Sequence, residues 1–387
     1  MAAFDLPRPA FMGDEEIGMF ESMVDRFFDE NADAVARQRW RDQGFVEQDV
    51  WRKAGAAGIL GVSIPEAYGG SGLDFRYDAL VMERQGIKHA LNFAFSLHTT
   101  VVAPYIYNYA TPEQCNRWLP GVISGDTLLA VAMTEPGAGS DLQGMRTSAR
   151  RDGDHYVING QKTFISNGHA CGLVVVAAKT DPAAGAKGIS LFAVEVDKTE
   201  GFERGRLLHK LGQEGRDTAE IFFNDMRVPT ENLLGGVEGR GFGMLMEQLP
   251  KERLVIAWQA MGMIEAALEL TVAHTKDRRM FNGTLFDQQN TKFKLAECKT
   301  KATVAKAFLY HCTEQLLQKK LDASTASMAK LFVTETQAFV IDECLQLFGG
   351  YGYMLEYPIA EMYKDARAFR IYGGASEIMK LLIARSI

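Results

Sequence analysis

The chain has 387 residues, is 47% hydrophobic and carries a net charge of −7, which allows two or three domains with sizeable cores. The acidic balance and the absence of any long basic run argue against nucleic acid as the main partner. Arg150-Arg151 and Arg278-Arg279 are too short to form patches.

Five cysteines, odd in number and without a Cys-x-x-Cys pair, suit reduced thiols, with Cys298 and Cys312 as core fillers. The first ten residues lack the apolar region of a signal peptide, and no apolar run approaches the ~20 residues of a membrane span. A cytoplasmic protein is expected, although a processed organellar one would look the same.

Residues 14–121 read mainly as helices, with Ile17, Phe20, Val24 and Phe27/Phe28 at helical spacing and a break at Pro65–Gly72. An all-α domain over 1–124 follows. Its stretch Asn92–Val101 is apolar and aromatic, and reads as core, with pocket lining as the alternative.

Over 125–235 short β-branched runs alternate with turn residues, the pattern of an antiparallel β-barrel. Asp152-Gly153-Asp154 separates two runs, and Asn159-Gly160 predicts a two-residue hairpin turn. Leu173–Ala178, Ile189–Val196 and Ala219–Phe223 continue the strands, while 181–188 reads as a loop.

Helical periodicity returns over 236–387, predicting a C-terminal four-helix bundle and a multidomain α+β chain. Val304, Phe308, Cys312 and Leu316 would face the core from one helix, and Met328, Leu331, Ala338, Leu345 and Phe348 from the next. Gly349-Gly350 is a natural stop, and a short amphipathic helix runs from Ser376 to Ala384.

The bundle opens with Gln248–Trp258, in which Glu252 precedes Leu254, Trp258, Met261, Ile264 and Leu268 at helical spacing. Either Glu252 lies at an exposed helix start with Pro250 in the first helical position, or it is a buried carboxylate that must be paired, neutral or functional. These residues alone favour the first reading.

No phosphate loop, strand-linked Gly-x-Gly-x-x-Gly or His-Glu-x-x-His is present, so a metal or a Rossmann-bound dinucleotide is not expected. The turn Thr134–Asp141 brings several backbone N–H groups and two hydroxyls towards a possible ring or phosphate.

A series of pieces then carries the argument: Tyr68–Gly72, Met133–Asp141, Ile158–Lys162, Ile165–Gly168, Glu252-Arg253, Arg278 to Gln289, Gln346–Tyr353, Asp365–Arg367 and Ile371–Ile378. In this order they resemble the acyl-CoA dehydrogenase family over nearly the whole chain. The resemblance implies a three-domain helix–barrel–helix fold and an FAD enzyme that converts a fatty acyl-CoA into a trans-2-enoyl-CoA. Electrons would pass to an electron-transferring flavoprotein, and the assembly would be a homotetramer.

That chemistry needs a general base for the α-proton, a flavin N5 to accept the β-hydride and donors on the thioester oxygen. Most relatives carry the base in a Tyr-Glu-Gly-Thr motif, where this chain has Gly373. A minority, including long-chain enzymes, carry it in a Glu-Arg pair on a bundle helix, which Glu252-Arg253 matches.

By the same resemblance Met133, Thr134, Gly139, Ser140, Phe164, Ile165 and Ser166 would hold the isoalloxazine ring, and Ser140 would also approach CoA. Arg278, Gln289, Gln346, Gly349 and Gly350 would grip the FAD of a neighbouring subunit. Ala375 stands for the usual Thr beside Glu377 in the last cofactor-binding segment. Pro250, Lys251, Arg253, Gly373 and Gly374 would line the substrate site, with the Gly373 N–H on the thioester oxygen. Phe164 stands where many relatives have Trp, and Asn282 where many have Gly. Branched or terpenoid substrates, an oxidase or monooxygenase on the same fold, and a non-catalytic flavin-binding protein are the alternatives.

Overall fold

Aspartates start three of the first helices: the carboxylates of Asp14, Asp33 and Asp74 each accept a backbone N–H at the head of α1 (Glu15–Asn31), α2 (Ala34–Gln43) and, after α3 (Gln48–Ala56), α4 (Phe75–Ile87). The computed structural model describes residues 4–387. α5 (Ala103–Tyr109) and α6 (Pro112–Ser124) complete the N-terminal helices. Between α4 and α5, Phe93 and Phe95 are buried, and a π-helical turn at Leu97–Val102 holds His98. The His98 Nδ1 accepts from Leu129 N at 3.1 Å, so Nε2 donates to Val122 O at 3.0 Å. Burial pushes this imidazole down to about 4, which makes it a neutral core residue.

The seven central strands are β1 (Leu129–Ala132), β2 (Ser148–Asp152), β3 (His155–Ser166), β4 (Leu173–Lys179), β5 (Ile189–Glu195), β6 (Phe202–Leu207) and β7 (Thr218–Pro229). The pairs β2–β3, β3–β7, β7–β6 and β4–β5 are antiparallel, as the alternation predicts. Two parallel pairings add to them, β1–β4 and a short β2–β4 contact at Ser148 and Lys179 that joins the two halves of the sheet. Among the described residues β5 and β6 each pair on one side only, so the sheet is curled rather than closed.

The hairpin expected at Asn159-Gly160 does not form there. β3 runs straight through both residues, and the chain reverses instead at Asp152–Asp154. The Asn159 side chain exchanges hydrogen bonds with Asp225, at 2.9 Å each way, across a register shift between β3 and β7. A Cβ on Gly160 would sit 2.5 Å from Thr147 Oγ1. Gly160 therefore serves close packing at a bulge.

The C-terminal part contains α7 (Gly241–Asp277), a hairpin of β8 (Arg279–Met280) and β9 (Gly283–Thr284), then α8 (Gln289–Leu317), α9 (Ala323–Phe348), α10 (Pro358–Ala366) and α11 (Ser376–Ala384). Phe281 and Asn282 both take positive φ at the hairpin tip, a conformation asparagine tolerates better than most residues. α7 is long and apolar enough to cross a membrane by length and composition. Its surface is instead covered by protein: it shares one core with α1–α4 and α8–α10.

The buried stripe of α8 is Leu295, Cys298, Ala302, Ala305, Leu309 and Cys312, which leaves Val304 51% exposed. On α9 the core side includes Ser327, Lys330, Thr334 and Gln337, while Met328 is 38% exposed. The apolar stripes expected from sequence are thus rotated partly outwards, because hydrogen-bonded polar residues occupy the inner face of α9.

α4 and α7 cross at two glycines. A Cβ on Gly262 would lie 2.0 Å from Glu83 O, and one on Gly86 2.4 Å from Gln259 O. Beside them Gln259 Nε2 donates to Gln85 Oε1 at 2.6 Å, and Lys306 bridges Glu83 and Glu265 at 2.9 and 2.7 Å. Gly262→Ala is expected to destabilise the protein by roughly 1–3 kcal/mol through overpacking, measured as a lowered urea midpoint.

Candidate active site

α7 begins at Gly241, so Pro250 lies inside the helix and Glu252 is nowhere near its start. This removes the exposed-cap reading. Glu252 is 6% exposed, and its Oε1 accepts from Tyr105 Oη of α5 at 2.8 Å. Burial raises the carboxyl to about 7, opposed by the Tyr105 hydrogen bond and by the Arg253 and Lys251 charges. A carboxyl so poised exchanges a proton near neutral pH, which is what a general base requires.

One helical turn further along α7, Ile256 packs on Gly373 so closely that a Cβ at 373 would meet Ile256 Cδ1 at 2.1 Å. Glu252 on α7 and Gly373 in the loop before α11 therefore lie about one turn apart along the length of α7. Gly373 has φ +63, and its N–H has no hydrogen-bond partner among the described residues. The next carbonyl, Gly374 O, accepts from the buried Lys330 Nζ at 2.8 Å. Burial, and then Arg253, push this ammonium down to about 8.

The neighbours of Glu252 point elsewhere. The Lys251 ammonium pairs with the buried Asp78 at 3.1 Å. Burial alone would lower Lys251, but Asp78 and Tyr107 together outweigh it and hold the amine above its ordinary value. Arg253 Nη1 donates to Ser327 Oγ at 3.1 Å and to Ala323 O at 3.4 Å. Both cations are thus engaged with protein groups on α4 and α9.

A second group of residues gathers on the sheet. In the turn after β1, Glu135 and Ala138 exchange backbone hydrogen bonds, and Thr163 N donates to Thr134 O at 2.9 Å. Beneath it the buried Lys162 Nζ reaches Glu135 Oε1 at 2.9 Å and Met133 O at 3.0 Å. Glu135 also accepts from Arg146 N and Thr147 N. Above this support Gly139 and Ser140 are exposed, as is Phe164, 68% exposed with φ +60, while Ile165 is buried and Ser166 half-buried.

A third group lines a cavity of about 620 Å³: Arg278, Gln346, Gly349 and Gly350, with His274 and Tyr351. Gln289, exposed at the start of α8, is outside that lining. Ala375 is the N-cap of α11 and supplies no side-chain cap, and Glu377 lies exposed in the first turn.

Residues 14–126, 130–226 and 239–387 match the N-terminal, middle and C-terminal domains of acyl-CoA dehydrogenase, and the chain belongs to the acyl-CoA dehydrogenase family, oxidoreductases that act on acyl-CoA. It is 46% identical over 374 residues to the mitochondrial long-chain specific acyl-CoA dehydrogenase of Mus musculus, covering 96% of this chain and 86% of that one. An acyl-CoA dehydrogenase structure from Geobacillus kaustophilus is 42% identical, with a TM-score of 0.94 over 97% of this chain and 98% of that one. A glutaryl-CoA dehydrogenase from Mycobacterium smegmatis in complex with FADH2 is 27% identical, with a TM-score of 0.92 over 100% of this chain and 97% of the other.

FAD is the family's cofactor, and the residues fit it. Phe164 offers an exposed aromatic face, and nothing lies within 4 Å of a Cβ built on Gly137 or Gly139, which leaves backbone open to a ring. The arginine and aromatic lining of the cavity suits a diphosphate and an adenine.

Tyr105 and Lys330 were missed by sequence reasoning. Tyr105 sits in an apolar run that reads as core, and Lys330 looks like a surface lysine on an amphipathic helix. A Tyr-Ile-Tyr-Asn-Tyr repeat at 105–109 was the available signal for the first.

Two outcomes are expected. The Glu252 carboxyl is raised in the folded state, so it favours folding fully below the unfolded value of 4.5, and this contribution is lost as pH rises to about 7. Glu252→Gln lacks this dependence, so its melting temperature should gain on that of the native protein between pH 5 and pH 8. Ala375→Thr should supply the missing cap of α11 and raise unfolding stability by about 1 kcal/mol, read by denaturant titration.

Proposed function

We propose that this enzyme desaturates a long-chain fatty acyl-CoA to the trans-2-enoyl-CoA, with Glu252 as the base, and passes its electrons to an electron-transferring flavoprotein. The observation that carries the reading is a buried carboxylate poised near neutrality, one turn from Gly373, where no acid is present. The 46% identity to long-chain enzymes supports the chain length.

FAD, when bound, supplies the two-electron acceptor for the hydrogen leaving the β-carbon. The chain's own residues do the rest. Met133, Thr134, Gly139, Ser140, Phe164, Ile165 and Ser166 hold the ring, and the Lys162–Glu135 pair keeps their turn in place. Glu252 takes the α-proton, and the Gly373 N–H donates to the thioester oxygen, stabilising enolate-like charge. Lys330 holds the Gly373-Gly374 loop through the Gly374 carbonyl. Pro250 and the backbone beside it line the acyl side. Lys251 and Arg253 fix α7 against α4 and α9.

The protein works as a homotetramer in this reading. Two observations support that: outward apolar residues on α8 and α9, among them Phe293, Val304 and Phe332, and a cavity at Arg278 and Gln346–Gly350 that none of the residues around Glu252 lines. That cavity would take the diphosphate and adenosine from a neighbouring copy.

Mixing the purified protein with palmitoyl-CoA without oxygen should bleach the flavin promptly. In Glu252→Gln the flavin and the thioester should still bind, while bleaching slows by at least ~10²-fold, the lower end of what a general base supplies. Near-native bleaching in that variant would remove Glu252 from the mechanism.

A further inference from the structure

α5 carries tyrosines at 105, 107 and 109, and all three reach the segment of α7 around Pro250. Tyr109 Oη donates to Glu247 Oε2 at 2.7 Å and accepts from Gln248 Nε2 at 3.1 Å. Tyr107 lies close enough to Lys251 to help hold its ammonium charged. Tyr105 is 1% exposed and donates to Glu252 Oε1 at 2.8 Å. Pro250 has no N–H to give to the carbonyl four residues earlier, so the helix is weakest just where it presents the acid. The tyrosines stitch that weak point to α5.

The Tyr105 contact is also selective between the two carboxylate oxygens. Oε1 is taken, whereas Oε2 has no hydrogen-bond partner among the described residues and is not among the buried unpaired atoms. The oxygen left free is the one able to receive a proton. We infer that Tyr105 is a positioning residue for the reaction, fixing Glu252 by Oε1 so that Oε2 faces the α-carbon, and holding the carboxylate ionised inside an apolar helix pair. This rests on Glu252 being the base.

The phenol is fit for the role. Burial and then the Glu252 charge push it well above its usual value, so it remains a donor. A donor to the charged form of an acid favours that form. The other groups that bear on Glu252 are Lys251 and Arg253 on α7. Lys251 is held by Asp78 on α4, and Arg253 lies close to Lys330 on α9; Tyr109 on α5 faces Glu247 and Gln248. None of these others is hydrogen-bonded to the Glu252 carboxylate among the described residues.

The experiment is the pH dependence of anaerobic flavin bleaching by palmitoyl-CoA in FAD-loaded Tyr105→Phe. The acidic limb should move towards alkaline pH by about one unit, roughly tenfold slower bleaching at pH 6 with rates converging by pH 9. An unmoved limb with FAD retained would overturn the inference and leave Tyr105 a packing residue. In a Glu252→Gln background, Tyr105→Phe should cause no further slowing, and an added loss would show that Tyr105 acts through something else. If Glu252→Gln alone bleaches at the native rate, the base assignment fails, whatever Tyr105 does. Should Tyr105→Phe not retain FAD, 3-fluorotyrosine at position 105 keeps the hydroxyl and strengthens its donation. The limb should then move to acid pH, and an unchanged limb would overturn the proposal.

Discussion

A carboxylate set into an apolar helix tends to take up a proton or be expelled to water, because its desolvation amounts to several kcal/mol. In this chain neither happens fully, and much of the fold can be read as the means of preventing it. α4 closes on α7 through Gly86 and Gly262, which lets the N-terminal and C-terminal helices form one core around the acid. Lys251 and Arg253, its immediate neighbours, are turned away into partners on α4 and α9. One hydroxyl from α5 is left to meet the charge.

The sheet solves a separate problem. A turn that exposes its backbone must be kept from collapsing, and the turn at Thr134–Asp141 is propped by a lysine and a glutamate that bond both each other and the main chain. Both partners of the ion pair are buried, where it resists screening. The exposed surface above carries Pro136, Gly137, Gly139, Ser140 and Asp141 of the turn, with Phe164 on β3. The buried acid of the bundle and the exposed turn of the sheet are thus built by different devices.

Much of this was legible in the sequence. The strands at β4, β5 and the start of β7, the stop at Gly349 and the span of the last helix follow from alternation and glycine placement, whereas β6 carries no such signal, and the ordered motifs gave the family. The misreadings share a cause, since local pattern does not report what lies across from a residue. Asn159-Gly160 has the chemistry of a tight turn, yet Asp225 and Thr147 opposite make it a bulge within a strand. The apolar stripes of α8 and α9 were placed towards the core, although Lys330 and Gln337 take inner positions on α9 because Gly374 O and Met263 Sδ await them. Glu252 looked like a cap residue until nine residues of helix were found ahead of Pro250.

The contact of Ile256 with Gly373 bears on what one wall of the site can carry. A side chain at 373 would need Ile256 to swing aside or be shortened, and the backbone there would have to leave φ +63. The tip of Ile256 can swing away, whereas the left-handed backbone at 373 cannot readily carry a side chain, so it is the loop's conformation that keeps this wall of the site bare.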